Sequence, residues 1–443
     1  MTTEPTSVNE SLSLLERETV EICQRLIQID TSNYGNNDAR GEREAADYIA
    51  GLLAEVGLES VIHESSPGRA NLVCRFRGSD PDLPALIVHG HLDVVPAVAE
   101  DWSVDPFSGA LIDSMIWGRG AVDMKDMDAM IVAAVRHLRR ENITPRRDLI
   151  IAFFADEEAG GVYGAGWMVK NHPELFAGAT EAISEVGGFS ADINGQRAYM
   201  LQTAEKGIAW LKLTAHGRAG HGSQVNDENA VTRLASAVAR IGETQWPLSY
   251  TKTTRALLEQ VSALTGLPFD EQDPRPLLTA MGSVSRFVEA TLKNTSNPSV
   301  LDAGYKHNVL PGTAEALIDC RTLPEQHEQV INQLRELAGE HVELSMVHEE
   351  SSLEVPFAGE LVETMVAALQ AEDPDAVVLP YMLSGGTDNK SLAKLGITGY
   401  GFAPLQLPAD LDFTGLFHGV DERVPVSALH FGSRVLERLL RSY

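Results

Sequence analysis

The sequence predicts an α/β protein with a mostly parallel central sheet flanked by helices, into which a smaller α+β domain is inserted. Three observations lead there. Apolar runs of strand length alternate with helical patterns over residues 71–188, an order that implies parallel pairing. From residue 204 the apolar period switches to two, and the elements follow as strand, helix, strand, strand, helix, strand. The first pattern returns near residue 353, so the expected boundaries are 1–204 with 353–443 for the larger domain and 205–352 for the insertion. With 443 residues, 44% of them hydrophobic, the chain is long enough for more than one core.

In chain order, residues 11–30 and 42–57 carry helical spacing, with Leu15, Val20, Ile22 and Leu26 along the first and Gly57 as C-cap of the second. A polar loop, 31–41, separates them. Strands at 71–78 and 85–96, a helix at 123–140, a strand at 149–155, a helix at 163–171 and a strand at 182–188 follow. In the insertion, strand 206–217, helix 228–242, strand 314–323, helix 325–338 and strand 342–349 suit a small open sheet with helices on one face, in ferredoxin-like order. Residues 243–300, rich in Thr, Pro, Asp and Asn, read as a long elaboration or functional loop. A helix at 357–371, a strand at 377–383, a helix at 388–396 and a strand at 397–402 complete the larger domain.

Thirty-five basic against 63 acidic residues give a net charge of −28, which repels nucleic acid and anionic membrane surfaces. Cys23, Cys74 and Cys320 are far apart and odd in number, so they read as core residues of a protein in a reducing compartment. The polar start MTTEPTSVNE lacks the basic and apolar regions of a signal peptide, and no apolar run reaches membrane-spanning length. The cytoplasm is the expected location.

Chemistry concentrates at strand ends. Asp156, Glu157 and Glu158 close the apolar run LIIAFFA, where one glutamate can hold a metal and its neighbour can take a proton from water; taken alone, they read first as solvated acids. In HGHLDVVP, His91 reads as a metal ligand and Asp93 as the carboxylate that accepts its second ring N–H, against a buried His-Asp bond. His89 is more simply a strand-packing residue. Asp123, in GRGAVDMK, can bridge two cations, or cap a helix; Asp126 and Asp128 read as surface acids that offset the helix dipole. Glu185 in SEVGG is a further acid at a strand end followed by small residues that permit close approach, and His418 in FHGVDERVP is an imidazole on a glycine-bearing loop, with loop charge and surface His as the plain readings. Together they form two sets of three sharing Asp123: His91 and Glu185 on one ion, Glu158 and His418 on the other. Such ligands suit two zinc ions, and cobalt or manganese by the same ligand softness.

The insertion adds His221 in GRAGHGS, placed to meet an oxyanion, and Asn308 and Arg321, with the Arg fork suited to a substrate carboxylate. Their plain readings are a turn His, a turn Asn and an Arg in a surface ion pair. Gly385, Gly386 and Thr387 can offer backbone N–H groups to an anion at a helix start, or Thr387 and Asp388 can act as its N-cap.

In order and context, these motifs resemble the dinuclear zinc peptidase and amidohydrolase family of succinyl-diaminopimelate desuccinylase, acetylornithine deacetylase, aminoacylase-1 and glutamate carboxypeptidase. The resemblance runs across nearly the whole chain. It implies Glu157 as general base, Asp93 as the supporting acid, and His91, Asp123, Glu158, Glu185 and His418 as metal ligands. It also implies that the insertion is a lid used for dimerisation in many relatives, with His221 on the oxyanion and Asn308 and Arg321 on the substrate carboxylate. Relatives that are aminopeptidases or dipeptidases tend to carry Asp where this chain has Glu185, so the resemblance favours a deacylase or carboxypeptidase acting on an N-acyl amino acid or short peptide through metal-activated water. A dipeptidase or aminopeptidase on the same scaffold is the nearest rival, and a non-catalytic metal-dependent binding protein the rival from another class.

Overall fold

The computed structural model describes residues 12–443, so the reading of the first ten residues lies outside the described part. Two compact units emerge. One comprises the chain up to Gln202, Pro356–Leu379 and Thr387–Tyr443; the other comprises Thr203–Val355 and Pro380–Gly386.

The first unit is built on a sheet whose strands run, in spatial order, Ser60–Ser66, Arg69–Phe76, Leu149–Phe154, Ala85–His91, Ala179–Ser184 and Thr398–Gly401, followed by the strand that begins at Gln196. The four strands from Leu149–Phe154 to Thr398–Gly401 pair in parallel, and the flanking pairs are antiparallel. Strands Leu149–Phe154 and Ala85–His91 are buried along their whole length, as a sheet covered on both faces requires. The opening helix is Leu14–Gln28, started by a capping box in which Ser13 and Glu16 satisfy each other's backbone N–H. Helix Lys125–Arg140 packs against it, against the sheet strand Ala85–His91 and against the last helix, Val426–Ser442, which the sequence reading did not assign. Enclosure on these sides corrects the expectation for Asp126 and Asp128: they are 2% and 0% exposed, not surface acids, because this helix start has no solvent face. Asp128 lies so close beneath Gly90 that a Cβ there would come 2.1 Å from its Oδ1, which explains a glycine between His89 and His91.

The second unit has a four-stranded antiparallel sheet in the order Thr295–Asp302, Thr313–Thr322, Gly207–His216, Val342–Glu350. Leu211 and Leu213 on one face pack with Ile318 against Leu234 and Ile241 of helix Ala230–Gly242 and Ile331 and Leu334 of helix His327–Ala338. Residues 243–300 are not an open loop. They hold helices Lys252–Thr265, Arg275–Ala280 and Ser285–Glu289 and lead into the edge strand Thr295–Asp302. Leu257, Leu258, Val261, Leu277 and Met281 are buried there, so a few well-spaced apolar residues outweigh the polar composition. No helix among the described residues is long and apolar enough to cross a membrane.

Candidate metal centre

Sheet topology assembles the site. Strands Leu149–Phe154, Ala85–His91 and Ala179–Ser184 are neighbours and point the same way. Their carboxyl ends therefore bring Glu157 and Glu158, His91, and Glu185 to one place, the usual crevice of a parallel sheet. Asp123 and His418 arrive on loops joined by a separate pairing of Met115–Trp117 with Arg423–Pro425.

Asp123 sits between two imidazoles: its Oδ1 is 3.1 Å from His91 Nε2 and its Oδ2 is 3.3 Å from His418 Nε2. Glu185 Oε2 lies 3.5 Å from His91 Nε2, and Glu158 Oε2 lies 3.0 Å from His418 Nε2. Ligand atoms of His91, Asp123 and Glu158 fall within 4.8 Å of one another, as do those of His91, Glu157 and Glu185. The two groups share His91, and Asp123 extends the first of them to His418.

Burial and then the neighbouring Glu185 push the Glu157 carboxyl well above its ordinary value. Burial likewise raises Glu185 to about 7, against the pull of His91. His418 is raised to about 10 by its bonds to Asp123 and Glu158. At Asp123 burial acts upward, yet the two imidazoles hold the carboxyl below the ordinary range. Four carboxylates crowd two imidazoles in a buried space, so positive charge is what the arrangement lacks. Mixed oxygen and nitrogen donors at this spacing can hold divalent metal ions.

The surrounding shell differs in detail from expectation. His91 Nδ1 lies 2.9 Å from the backbone carbonyl of Asp93, while the Asp93 carboxylate is farther, at 3.6 Å. That carboxylate instead accepts from the backbone N–H of Glu157 at 3.0 Å and of Glu158 at 3.2 Å, and so holds the turn that carries both glutamates. Asn33 donates to Asp93 and to Asp156, at 2.9 and 3.0 Å. Arg69 joins Asp156 to Glu42 in a buried ion pair, and Tyr163 N–H donates to the other Asp156 oxygen. Asp156 needs such support, since its φ of 67° is left-handed for a residue with a Cβ. Asn33, Glu42 and Arg69 escaped the sequence reading. Asn33 lies in the polar loop 31–41, and nothing local marks it as buried.

His89 is fully buried and pairs through Nε2 with Asn389 Oδ1 at 3.0 Å, a packing role. In the second unit, His221 and Val309 are register partners, and Gly222 N–H donates to the Asn308 carbonyl, so His221 and Asn308 are neighbours. Ser223 N–H donates to His221 Nδ1 at 3.2 Å, which places the ring proton of a neutral imidazole on Nε2. Arg321 forms a two-pronged pair with Asp319, at 2.6 and 3.0 Å. Gly385 and Gly386 follow the strand Val377–Leu383, and Thr387 Oγ1 accepts from Asn389 N–H at 3.2 Å, a local bond at the start of helix Asn389–Ala393.

Comparison with known proteins places the chain by family and fold. The profile of peptidase family M20/M25/M40 matches residues 87–442. The N-fatty-acyl-amino acid synthase/hydrolase of Mus musculus is 29% identical over 440 residues, covering 93% of this chain and 85% of that protein. Human (Homo sapiens) aminoacylase-1 is 27% identical over 407 residues, covering 89% of each. Among solved structures, an M20 family metallo-carboxypeptidase from Sulfolobus solfataricus superposes with a TM-score of 0.74 at 18% identity, covering 96% of this chain and 98% of that one, a likeness of fold.

Proposed function

The chain belongs to peptidase family M20/M25/M40, and from that premise we propose that it is a zinc-dependent hydrolase that splits the amide bond of N-acyl amino acids. One observation carries the reading: a single carboxylate, Asp123, faces an imidazole with each oxygen, and each imidazole faces a further glutamate. On this reading His91, Asp123 and Glu185 hold one ion, and Asp123, Glu158 and His418 the other. Bound there, the ions supply Lewis acidity toward a carbonyl oxygen and toward water.

The chain's own groups do the rest. Glu157 takes the proton of the attacking water on its carboxylate and delivers it to the leaving amine, a task suited to a carboxylate set beside the ligand atoms of His91 and Glu185. Asp93 fixes the Glu157 and Glu158 backbone through the two amide bonds it accepts. His221, with its proton on Nε2, is the candidate donor to the oxyanion, and Asn308 and Arg321 are the candidate contacts of the substrate carboxylate. For Arg321 that role requires exchanging Asp319 for the substrate. Gly385, Gly386 and Thr387 are candidate backbone donors to the same substrate. The free, buried cysteines support a cytoplasmic setting, and we assign dimer formation to the second unit.

The substrate class draws support from the relatives named for N-fatty-acyl-amino acids and for aminoacylase activity. Zinc-loaded protein should release free amino acid from N-acetyl and N-fatty-acyl amino acids and leave unblocked dipeptides intact. Turnover of dipeptides without turnover of N-acyl amino acids would replace this reading with a dipeptidase.

A further inference from the structure

Glu422, four residues beyond His418, has no part in the chemistry above, yet it is 0% exposed and its side chain is fully engaged. Its Oε1 accepts from Val122 N–H at 2.7 Å, and its Oε2 accepts from Gly120 N–H at 3.0 Å and from Arg119 Nη1 at 2.8 Å. The backbone carbonyl of the same residue accepts from Gly118 N–H at 2.9 Å. One residue thus gathers the whole Gly118–Val122 turn, whose next residue is Asp123. Buried charge-assisted bonds of this kind are stiff and costly to break. Arg119 is itself buried, and its guanidinium lies 5.1 Å over the Trp102 ring, so it cannot swing away.

The other side of the connection is the His418 loop. His418 and Asp421 both have left-handed backbones, with φ of 56° and 59°, a conformation that non-glycine residues hold only when neighbours enforce it. Ser103 grips the Asp421 carboxylate through N–H and Oγ, at 2.8 and 2.7 Å, and the residue after Asp421 is Glu422 itself. The pairing of Trp117 with Arg423 then runs antiparallel, so the two loops leave it at the same end, where Asp123 Oδ2 meets His418 Nε2.

We infer that Glu422, with Arg119, is a positioning residue that sets the spacing between the Asp123 loop and the His418 loop, and thereby the affinity of the ion assigned to Asp123, Glu158 and His418. The inference rests on the two-ion assignment proposed above. Glu422→Gln keeps the volume but turns a donor toward a backbone N–H. Titrating metal-free protein with zinc against a competing chelator, the wild type should bind two ions, and Glu422→Gln should lose about 10–100-fold in affinity for one of them while the other is unchanged. His418→Ala should weaken the same ion, and adding Glu422→Gln to it should cost nothing more for the remaining one. Arg119→Met, which keeps a stem against Trp102, should give a smaller loss of the same ion and decides the matter should Glu422→Gln not fold. Equal weakening of both ions, or wild-type affinities in a folded variant, would overturn the positioning role. A wild type that binds fewer than two ions would instead sink the two-ion assignment.

Discussion

At the scale of single residues, the adjacent glutamates divide along their contacts. Glu158 faces His418, whereas Glu157 lies with His91 and Glu185. Replacing Glu157 by Gln should therefore lower kcat by about 10²–10⁴-fold and leave metal content at the wild-type level. Unchanged turnover would remove Glu157 from the proton pathway. A second residue offers a pH test away from the centre. Lys206 is buried, donates to the carbonyls of Ala290 and Lys293, and is lowered by burial to about 7 from its ordinary 10.5. Between these values the unfolded chain binds more protons than the folded one, so this group makes stability rise with pH from about 7 to 10.5, by at most about 1.4 kcal/mol per pH unit. The difference in unfolding free energy between wild type and Lys206→Met, followed from pH 7 to 10 by denaturant titration, should show that slope; a flat difference would refute it.

At the scale of elements, the segment 243–300 is the clearest test of packing over composition. Helix Lys252–Thr265 begins with a Thr251–Thr254 capping box and buries Leu257, Leu258 and Val261. Leu258→Ala should cost about 2–5 kcal/mol in denaturant unfolding, as expected for a fully buried leucine. Amide hydrogens of residues 256–265 should exchange slowly. Exchange at the rate of an unstructured peptide would favour the loop alternative for this segment. Strand ends follow the same logic: a parallel strand that stops at His91 rather than running to residue 96 leaves Leu92–Val95 free to wrap the site, with Val95 N–H donating to Glu158 Oε1.

At the scale of the whole molecule, the net charge of −28 is joined by a cluster of four carboxylates around two imidazoles, whose excess negative charge favours cations. Removing metal with a chelator should abolish hydrolysis and lower the melting temperature, and zinc should restore both. A ligand at a thousandfold excess over its Kd stabilises the fold by about 4 kcal/mol, so the shift should be several degrees. An unmoved melting temperature together with full activity would show that the centre holds no ion.

Much of this was legible in the sequence. Period-two and helical patterns, five acid- and histidine-bearing motifs at strand ends and glycine-rich turns are local signals, and local chemistry is what a sequence carries directly. They determined the fold class, the order of elements outside 243–300 and the C-terminal helix, and the candidates for the centre. Which of those candidates meet, and what surrounds them, was decided by topology: neighbouring parallel strands bring residues 91, 157, 158 and 185 together, and the pairing of residues 115–117 with 423–425 delivers the other two. The same long-range packing buried Asp126 and Asp128, turned Asp93 onto the glutamate turn, recruited Asn33 and Arg69, and made Glu422 the tie between two loops. Burial and partnership depend on residues from about sixty to three hundred positions apart, so no short window of sequence contains them.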